Sequence, residues 1–522
     1  MQFPPTSLQS VPSQSGYYRK PLVSRSRSGG SEIIITGLLA CIMTILPTEP
    51  SILNAIAHIG LWLAFLLFGV GTRFLWQPGP TSWFLIVTVV SFGSSTFFYL
   101  TGRLFFFDTQ SFLAICGGYN SNLGFEVDAG CFRFTCIAWM VTRFISTKGA
   151  FDPNWNLNSL VNPEETAESK KHAFQALIIG GIGAMVLLPR FQLSGVFAQP
   201  LQLLGTLFPA SMAIMLLMVP NKGNPWWRFR FLILLISSYG LLAFLSSGAK
   251  GTLFLNLFLV LWLYGMLNTR NRYPTLLTVG LVATGFVVTL PLFQSSKDAF
   301  QANRSTSESV EAFTKGLDDL MNGRLDYSRG QTRKDGIEAT WEYLGGRLCV
   351  SGMTQIYYNR YASDPRGPES FLVSLENAIP RIFNPGKTSI SVYYNDLART
   401  SGVGNMNDFR TQRQPSFLDE SVIIWGANGF WIGGIVFGLY LSFVEWFCIR
   451  ASTTSQSLVT CRFMTATIGQ LPYFGVMFGS TIFVLIFVYL FSTNYLSSIW
   501  KQTPQSRLSY FQAQRKDRAL QT

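Results

Sequence analysis

The chain has 522 residues, 48% of them hydrophobic and only 13% charged, with a mean hydropathy of +0.28. So apolar and weakly charged a composition excludes a string of soluble domains and points to a membrane as the solvent. The formal net charge of +13 would suit a nucleic-acid partner, but its distribution along the chain argues against one.

Residues 1–30 are polar and Ser/Pro-rich, with no apolar stretch before the first span; they read as a disordered tail rather than a signal peptide. Apolar runs of membrane-crossing length follow at 33–46, 52–70, 83–107, 129–145, 173–188, 197–219, 229–245, 253–267 and 276–293. After a hydrophilic stretch at 294–420 come 422–447 and a long run at 458–491. A span needs roughly 20 residues, so the last run is either one over-long helix or two helices meeting at an outer turn.

Charge decides between them. Of the 25 Lys and Arg outside 294–420, 21 fall in the N-terminal tail, Arg73, 143–171, 222–230, 270–272, Arg450, Arg462 and the C-terminal tail. These segments form one side of the membrane, and the positive-inside rule makes that side the cytoplasm. The intervening connections, with Glu49, Asp108, Glu126 and Asp128, carry little positive charge and are expected to face outward. The basic tail from Lys501 onward then requires 458–491 to be a hairpin turning near 478–481. The expected fold is an all-α polytopic membrane protein of about twelve transmembrane helices, in the cytoplasmic (inner) membrane, with both termini cytoplasmic. Its parts are a tail at 1–30, helices one to nine at 31–293, a large and mainly helical extracytoplasmic loop domain at 294–420, helices ten to twelve at 421–494, and a tail at 495–522. The 7 cysteines are scattered and imply no disulfide framework.

The loop holds 15 Lys/Arg and 16 Asp/Glu, so it is nearly neutral, and it is too long for an ordinary connection. Helical spacing of apolar residues appears at 307–321 (Val310, Phe313, Leu317, Leu320) and at 337–358 (Trp341, Leu344, Leu348, Ile356). Pro368 opens a third helix over 371–379, and Pro380 ends it. Asn384-Pro-Gly-Lys387 is a turn by composition, and 401–414 reads as a mobile segment of the kind that gates a site.

Only two histidines are present, His58 within a span and His172 in a cytoplasmic connection. A histidine-based triad or zinc site is therefore unavailable in the loop. No Walker A or dinucleotide-binding sequence occurs, and neither a cofactor nor a metal is implied. Four basic residues sit near the outer ends of spans: Arg103, Arg133, Arg190 and Lys250. Each reads either as an interfacial cation or as part of a cationic pocket for phosphate. Arg190, after Leu188-Pro189, and Lys250, in a short turn, are the favoured pair. Arg381, between Pro380 and Pro385 with Lys387 close behind, would suit phosphate or be a solvated turn cation. Arg347 lies on an apolar-striped helix and is either a substrate contact or a solvent-facing residue. Glu369, Glu376 and Glu420 stand nearest structural corners, as general base or as helix-start and ion-pair residues. Tyr357 and Tyr358 are either sugar-stacking rings or core.

Three segments carry a family resemblance. They are Phe244-Leu-Ser-Ser-Gly-Ala-Lys-Gly251, Glu376-Asn-Ala-Ile-Pro-Arg-Ile-Phe-Asn-Pro-Gly-Lys387, and Pro415-Ser-Phe-Leu-Asp-Glu-Ser-Val-Ile-Ile-Trp-Gly-Ala-Asn-Gly429. In order and sidedness they resemble the bacterial O-antigen and oligosaccharide repeat-unit polymerases, the Wzy-like family. Lys250 departs from the arginine usual in that family, losing bidentate phosphate binding. The resemblance implies a glycosyltransferase for surface or exopolysaccharide synthesis, joining polyprenyl-diphosphate-linked oligosaccharide repeat units at the outer face of the membrane. Its partners would be that lipid-linked glycan and membrane lipid, with a chain-length regulator and a flippase as possible further ones and no nucleic acid. Arg190, Lys250 and Arg381 would bind the diphosphate, with Glu376 or Glu420 as base; Arg347, Lys387, Glu369, Tyr357 and Tyr358 would contact substrate. The alternatives are a twelve-helix exporter or flippase of glycan or lipid-linked precursor, and an O-antigen ligase-like transferase. The latter is expected to use an extracytoplasmic histidine.

Overall fold

The computed structural model describes residues 28–71, 79–106, 125–146, 351–379, 390–402 and 415–451, with eleven further single positions between 311 and 489. Among these residues there is no strand. Two apolar helical runs, Pro80–Phe105 and Phe417–Ile449, have the length and composition to cross a membrane, the second of them folded back on itself at Gly426–Asn428; Gly30–Ile45 and Ile52–Phe68 are shorter apolar helices. The expected spans at 173–188, 197–219, 229–245, 253–267 and 276–293 lie outside the described residues. So do residues 1–27 of the N-terminal tail, the C-terminal tail and, apart from five positions, 458–491.

The long helices form one bundle. α1 (Ser28–Ile45) and α2 (Ile52–Gly71) are an antiparallel pair, and α3 (Pro80–Ser91) runs into α4 (Gly93–Thr101) with a bend at Phe92. Thr88 donates back to the Phe84 carbonyl at 2.9 Å and Ser95 to the Phe92 carbonyl at 2.7 Å. Such side-chain back-bonding commonly bends a helix. A π-helical turn, Gly102–Phe106, ends α4. α5 (Glu126–Ser146) is the central helix, and α10 (Gly429–Ala451) lies along it.

Contacts set the chain directions. Phe125 N donates to the Thr48 carbonyl at 2.7 Å, which joins the top of α5 to the α1–α2 connection. At the other end Arg143 pairs with Glu32, and Glu445 accepts from Thr81 at 3.1 Å and from Arg462 at 3.0 Å. We call these the upper and lower ends. α1 and α3–α4 rise, whereas α2, α5 and α10 descend. α5 and α10 are parallel and nearly in register, with Gly130 against Phe430, Gly434 against Phe134 and Gly438 against Ala138. A side chain at Gly438 would meet the Ala138 carbonyl at 2.7 Å, so the small residue lets the two backbones approach. Phe84, Phe132, Phe134, Trp139, Phe417 and Phe437 fill the core between them.

Two expectations change. Glu126 and Asp128 were expected in a connection ahead of the span, but both residues open α5, where acidic side chains complement the helix dipole. Asp128 is buried, accepting from His58 Nδ1 at 3.0 Å and from Ser95 Oγ at 3.3 Å. The run 422–447, expected as a single span leaving the loop, instead begins on the short first arm of a hairpin and continues along the second. α9 (Phe417–Trp425) rises, a 3-10 turn at Gly426–Asn428 reverses the chain, and α10 descends. Ser421 lies against Gly429 and Gly433, and the Phe417 ring packs, tilted, 5.0 Å from that of Phe437. Phe417 therefore sits about 12 Å below the start of α10, at 1.5 Å per residue.

The reversal depends on Gly426, whose φ of 60° and ψ of −140° form a combination confined essentially to glycine. A Cβ there would also lie 2.5 Å from the Ala362 carbonyl. Gly426→Ala is expected to cost about 1–3 kcal/mol, seen as a lower thermal midpoint in detergent; an unchanged midpoint would contradict the hairpin.

Candidate functional site

Three short helices of the hydrophilic segment seat on the upper end: α6 (Ser351–Tyr361), α7 (Glu369–Ala378) and α8 (Ile390–Thr400). α6 lies along α9 and touches α5. Its Thr354 donates to Asp419 at 2.6 Å, and its Tyr358 donates to Glu126 at 2.6 Å. The chain then crosses the hairpin turn. The Ala427 amide donates to the Ala362 carbonyl at 3.1 Å, and the Arg366 amide to the Ile423 carbonyl at 2.9 Å.

Beneath this cover lie two adjacent, fully buried carboxylates, Asp419 and Glu420. They divide the work. Asp419 belongs to a capping box with Ser416, whose amide and hydroxyl donate to it at 2.7 and 2.8 Å while the Asp419 amide donates back to Ser416 Oγ at 3.2 Å. With Thr354 added, that carboxylate is committed to starting α9. Glu420 projects about 100° around the helix from Asp419 and receives the hydroxyl of Tyr394 on α8. It lies on an arm that begins deep in the bundle, so it is recessed below the top of α10.

Aromatic rings wall this region. Tyr357, Tyr361, Tyr394, Leu397, Ala398 and Ile423 form one buried cluster, with Tyr357 and Tyr361 stacked at 6.5 Å. Burial, with the Asp419 charge adding to it, pushes the Tyr357 hydroxyl well above the ordinary tyrosine range. Burial likewise raises Tyr358, helped by its bond to Glu126. Both hydroxyls stay neutral at any working pH, and that of Tyr358 donates to Glu126.

The expected site residues fall into three groups. Arg190, Lys250, Arg347, Arg381 and Lys387 lie outside the described residues. Glu420, Tyr357 and Tyr358 are brought together at the upper end, but both tyrosines are core residues; the Tyr358 ring packs 5.6 Å from Phe430. Glu369 and Glu376 are on α7, away from the buried pair's hydrogen bonds. Glu369 is 61% exposed and pairs with Arg366 at 3.1 Å, an arrangement worth little in water. Glu376 accepts from Asn384 at 3.1 Å. Asp419, Tyr394, Thr354 and Glu126 were not singled out from sequence as site residues. Ser416-x-x-Asp419 was a legible cap signal, whereas nothing local marks Tyr394.

His58 also has a defined place. It is fully buried in the second turn of α2, near the upper end, with Nδ1 on Asp128 and Nε2 3.4 Å from the Pro47 carbonyl. The Trp62 indole also faces Asp128, at 3.4 Å. This cluster joins α2, α4 and α5. No family model, no curated protein and no solved structure matches the chain.

Proposed function

We propose that the chain is a multi-pass protein of the cytoplasmic membrane that joins polyprenyl-diphosphate-linked oligosaccharide repeat units at the outer face. The membrane part is supported by apolar stripes turned away from the bundle: Ile34, Leu38, Ile42 and Ile45 on α1, and Leu53, Ile56, Leu63 and Leu67 on α2. So much exposed apolar surface is unfavourable in water and neutral in lipid. The parallel descent of α5 and α10 fits the expected topology. In that topology the chain crosses the membrane an odd number of times between 147 and 416, and five apolar runs lie there.

The observation that carries the catalytic reading is Glu420, a carboxylate buried between the hydrophilic helices and the bundle instead of sitting on the loop surface. In the proposed reaction the acceptor hydroxyl oxygen bonds to the anomeric carbon of the donor as the bond from that carbon to the diphosphate breaks. Glu420 accepts the hydroxyl proton once Tyr394 releases it. Arg190, Lys250 and Arg381 hold the diphosphate and stabilise the charge that grows on it as it leaves. The donor carries its own bond energy, so no nucleotide is consumed outside. Arg381→Ala and Arg190→Ala, inserted at normal levels, are each expected to lower polymer yield about tenfold, the scale of one charge-assisted contact. Full-length polymer at normal yield from both variants would contradict the cationic site.

A second reading, export or flipping of the lipid-linked precursor, draws on the buried charged pairs inside the bundle, Glu32–Arg143, Glu445–Arg462 and His58–Asp128. Deletion separates the two readings. Single repeat units accumulating on the outer face favour polymerisation, and retention on the inner face favours transport. A ligase-like transferase would find near this end, among the described residues, only His58, whose ring is sealed in the core.

A further inference from the structure

Arg133 is half-buried, one turn below the Ala129 carbonyl to which its Nε donates at 3.3 Å. Its guanidinium lies over the Trp431 ring, 5.7 Å from the centroid. Among the described residues no carboxylate is within ion-pair distance. The ionisable groups facing it are Tyr358, Glu126 and Cys131, and the Glu126 carboxylate already accepts from Tyr358. A backbone bond and a stacking contact fix the fork while its terminal nitrogens have no carboxylate to meet. A half-desolvated cation held in this way is matched by an anion.

Trp431 also heads an exposed apolar stripe on α10 that continues through Ile435, Leu439, Phe443 and Trp446. These positions follow one helix face over about 22 Å at 1.5 Å per residue. A cation over an interfacial tryptophan, with an apolar track running down from it, has the polarity of one lipid molecule: anionic head above, acyl chain below.

We propose that Arg133 and Trp431 form a binding site for the monoanionic phosphodiester headgroup of a membrane phospholipid, with its acyl chain along α10. Charge selects this occupant. Arg133 presents one guanidinium beside a nearby carboxylate, Glu126, with no second cation facing it among the described residues, so the position matches a single negative charge better than a diphosphate. The site rests on the membrane reading above but not on the polymerase reading.

The test uses purified full-length protein in nanodiscs of phosphatidylcholine with graded phosphatidylglycerol, with retained lipids read by native mass spectrometry. The wild type is expected to retain phosphatidylglycerol over phosphatidylcholine about tenfold, the scale of one charge-assisted contact. Arg133→Gln is expected to abolish that preference, and Arg133→Lys and Trp431→Ala to reduce it. Wild-type preference in either Arg133→Gln or Trp431→Ala overturns the site, and the Lys and Ala variants carry the test if the Gln variant does not fold. Displacement of phosphatidylglycerol by equimolar polyprenyl diphosphate in the wild type overturns the choice of a phosphodiester. Failure to incorporate into nanodiscs at all would instead overturn the membrane reading.

Discussion

Arg143→Ala is expected to lower the stability of the folded bundle by about 3–5 kcal/mol, the scale for removing one partner of a buried ion pair. Arg143 and Glu32 are both almost fully buried where the last turn of α5 meets the first turns of α1. Truncating Arg143 takes the guanidinium away from the buried Glu32 carboxylate, and truncating Glu32 takes that carboxylate away from the buried guanidinium. Glu32→Ala should therefore do comparable damage. Arg143→Met combined with Glu32→Leu should recover most of the loss, because two apolar side chains of similar length remove the desolvation penalty together with the attraction. Thermal midpoints and monodispersity in detergent measure this. Equal losses in the single and double variants would show that packing, rather than charge, holds this end.

Glu420→Gln is expected to lower polymer formation by about 10²–10⁴-fold, the range assigned to a positioned general base. The amide oxygen still accepts the Tyr394 hydroxyl, so α8 stays seated and the protein still folds. Loss of activity without loss of thermal midpoint would then report chemistry. Tyr394→Phe leaves the carboxylate in place and removes the group that covers it, so a much smaller loss is expected. Wild-type turnover in Glu420→Gln would remove this carboxylate from the mechanism.

Much of the bundle was legible in the sequence because each long helix carries its own signal. The apolar runs 33–46, 52–70, 83–107 and 129–145 match α1, α2, α3–α4 and α5 to within a few residues. Pro368 and Pro380 bracket α7 as their chemistry requires, and the end of the expected helix at 337–358 lies in α6, while three of the four apolar positions that suggested it lie outside the described residues. The misread elements depend on distant partners. The hairpin of α9 and α10 reads as one span because every residue from Val422 to Trp425 is apolar. The reversal rests on the φ of Gly426 and on Ser421 lying against Gly429 and Gly433, and hydropathy shows neither. Asp128 was placed in a connection because the apolar run begins only at Ala129. His58, Trp62 and Ser95, supplied from two other helices, supply its hydrogen bonds.

The site divides in the same way. Glu420 stood out in sequence as one of three carboxylates nearest structural corners, and its burial under α8 adds the partner that sequence could not supply, since Tyr394 lies 26 residues earlier in the chain. Tyr357 and Tyr358 are adjacent on α6 and project in different directions. One enters the tyrosine cluster and the other meets Glu126, so their fate depended on which helices received α6.

The most direct measurement is to incubate the purified protein with one defined polyprenyl-diphosphate-linked repeat unit, without nucleotide, and to resolve the products by size. A ladder of products, each one repeat longer than the last, with release of one polyprenyl diphosphate per added repeat, is the expected result. Unchanged substrate from folded, reconstituted protein that instead moves the lipid-linked unit between leaflets would contradict polymerisation and establish transport.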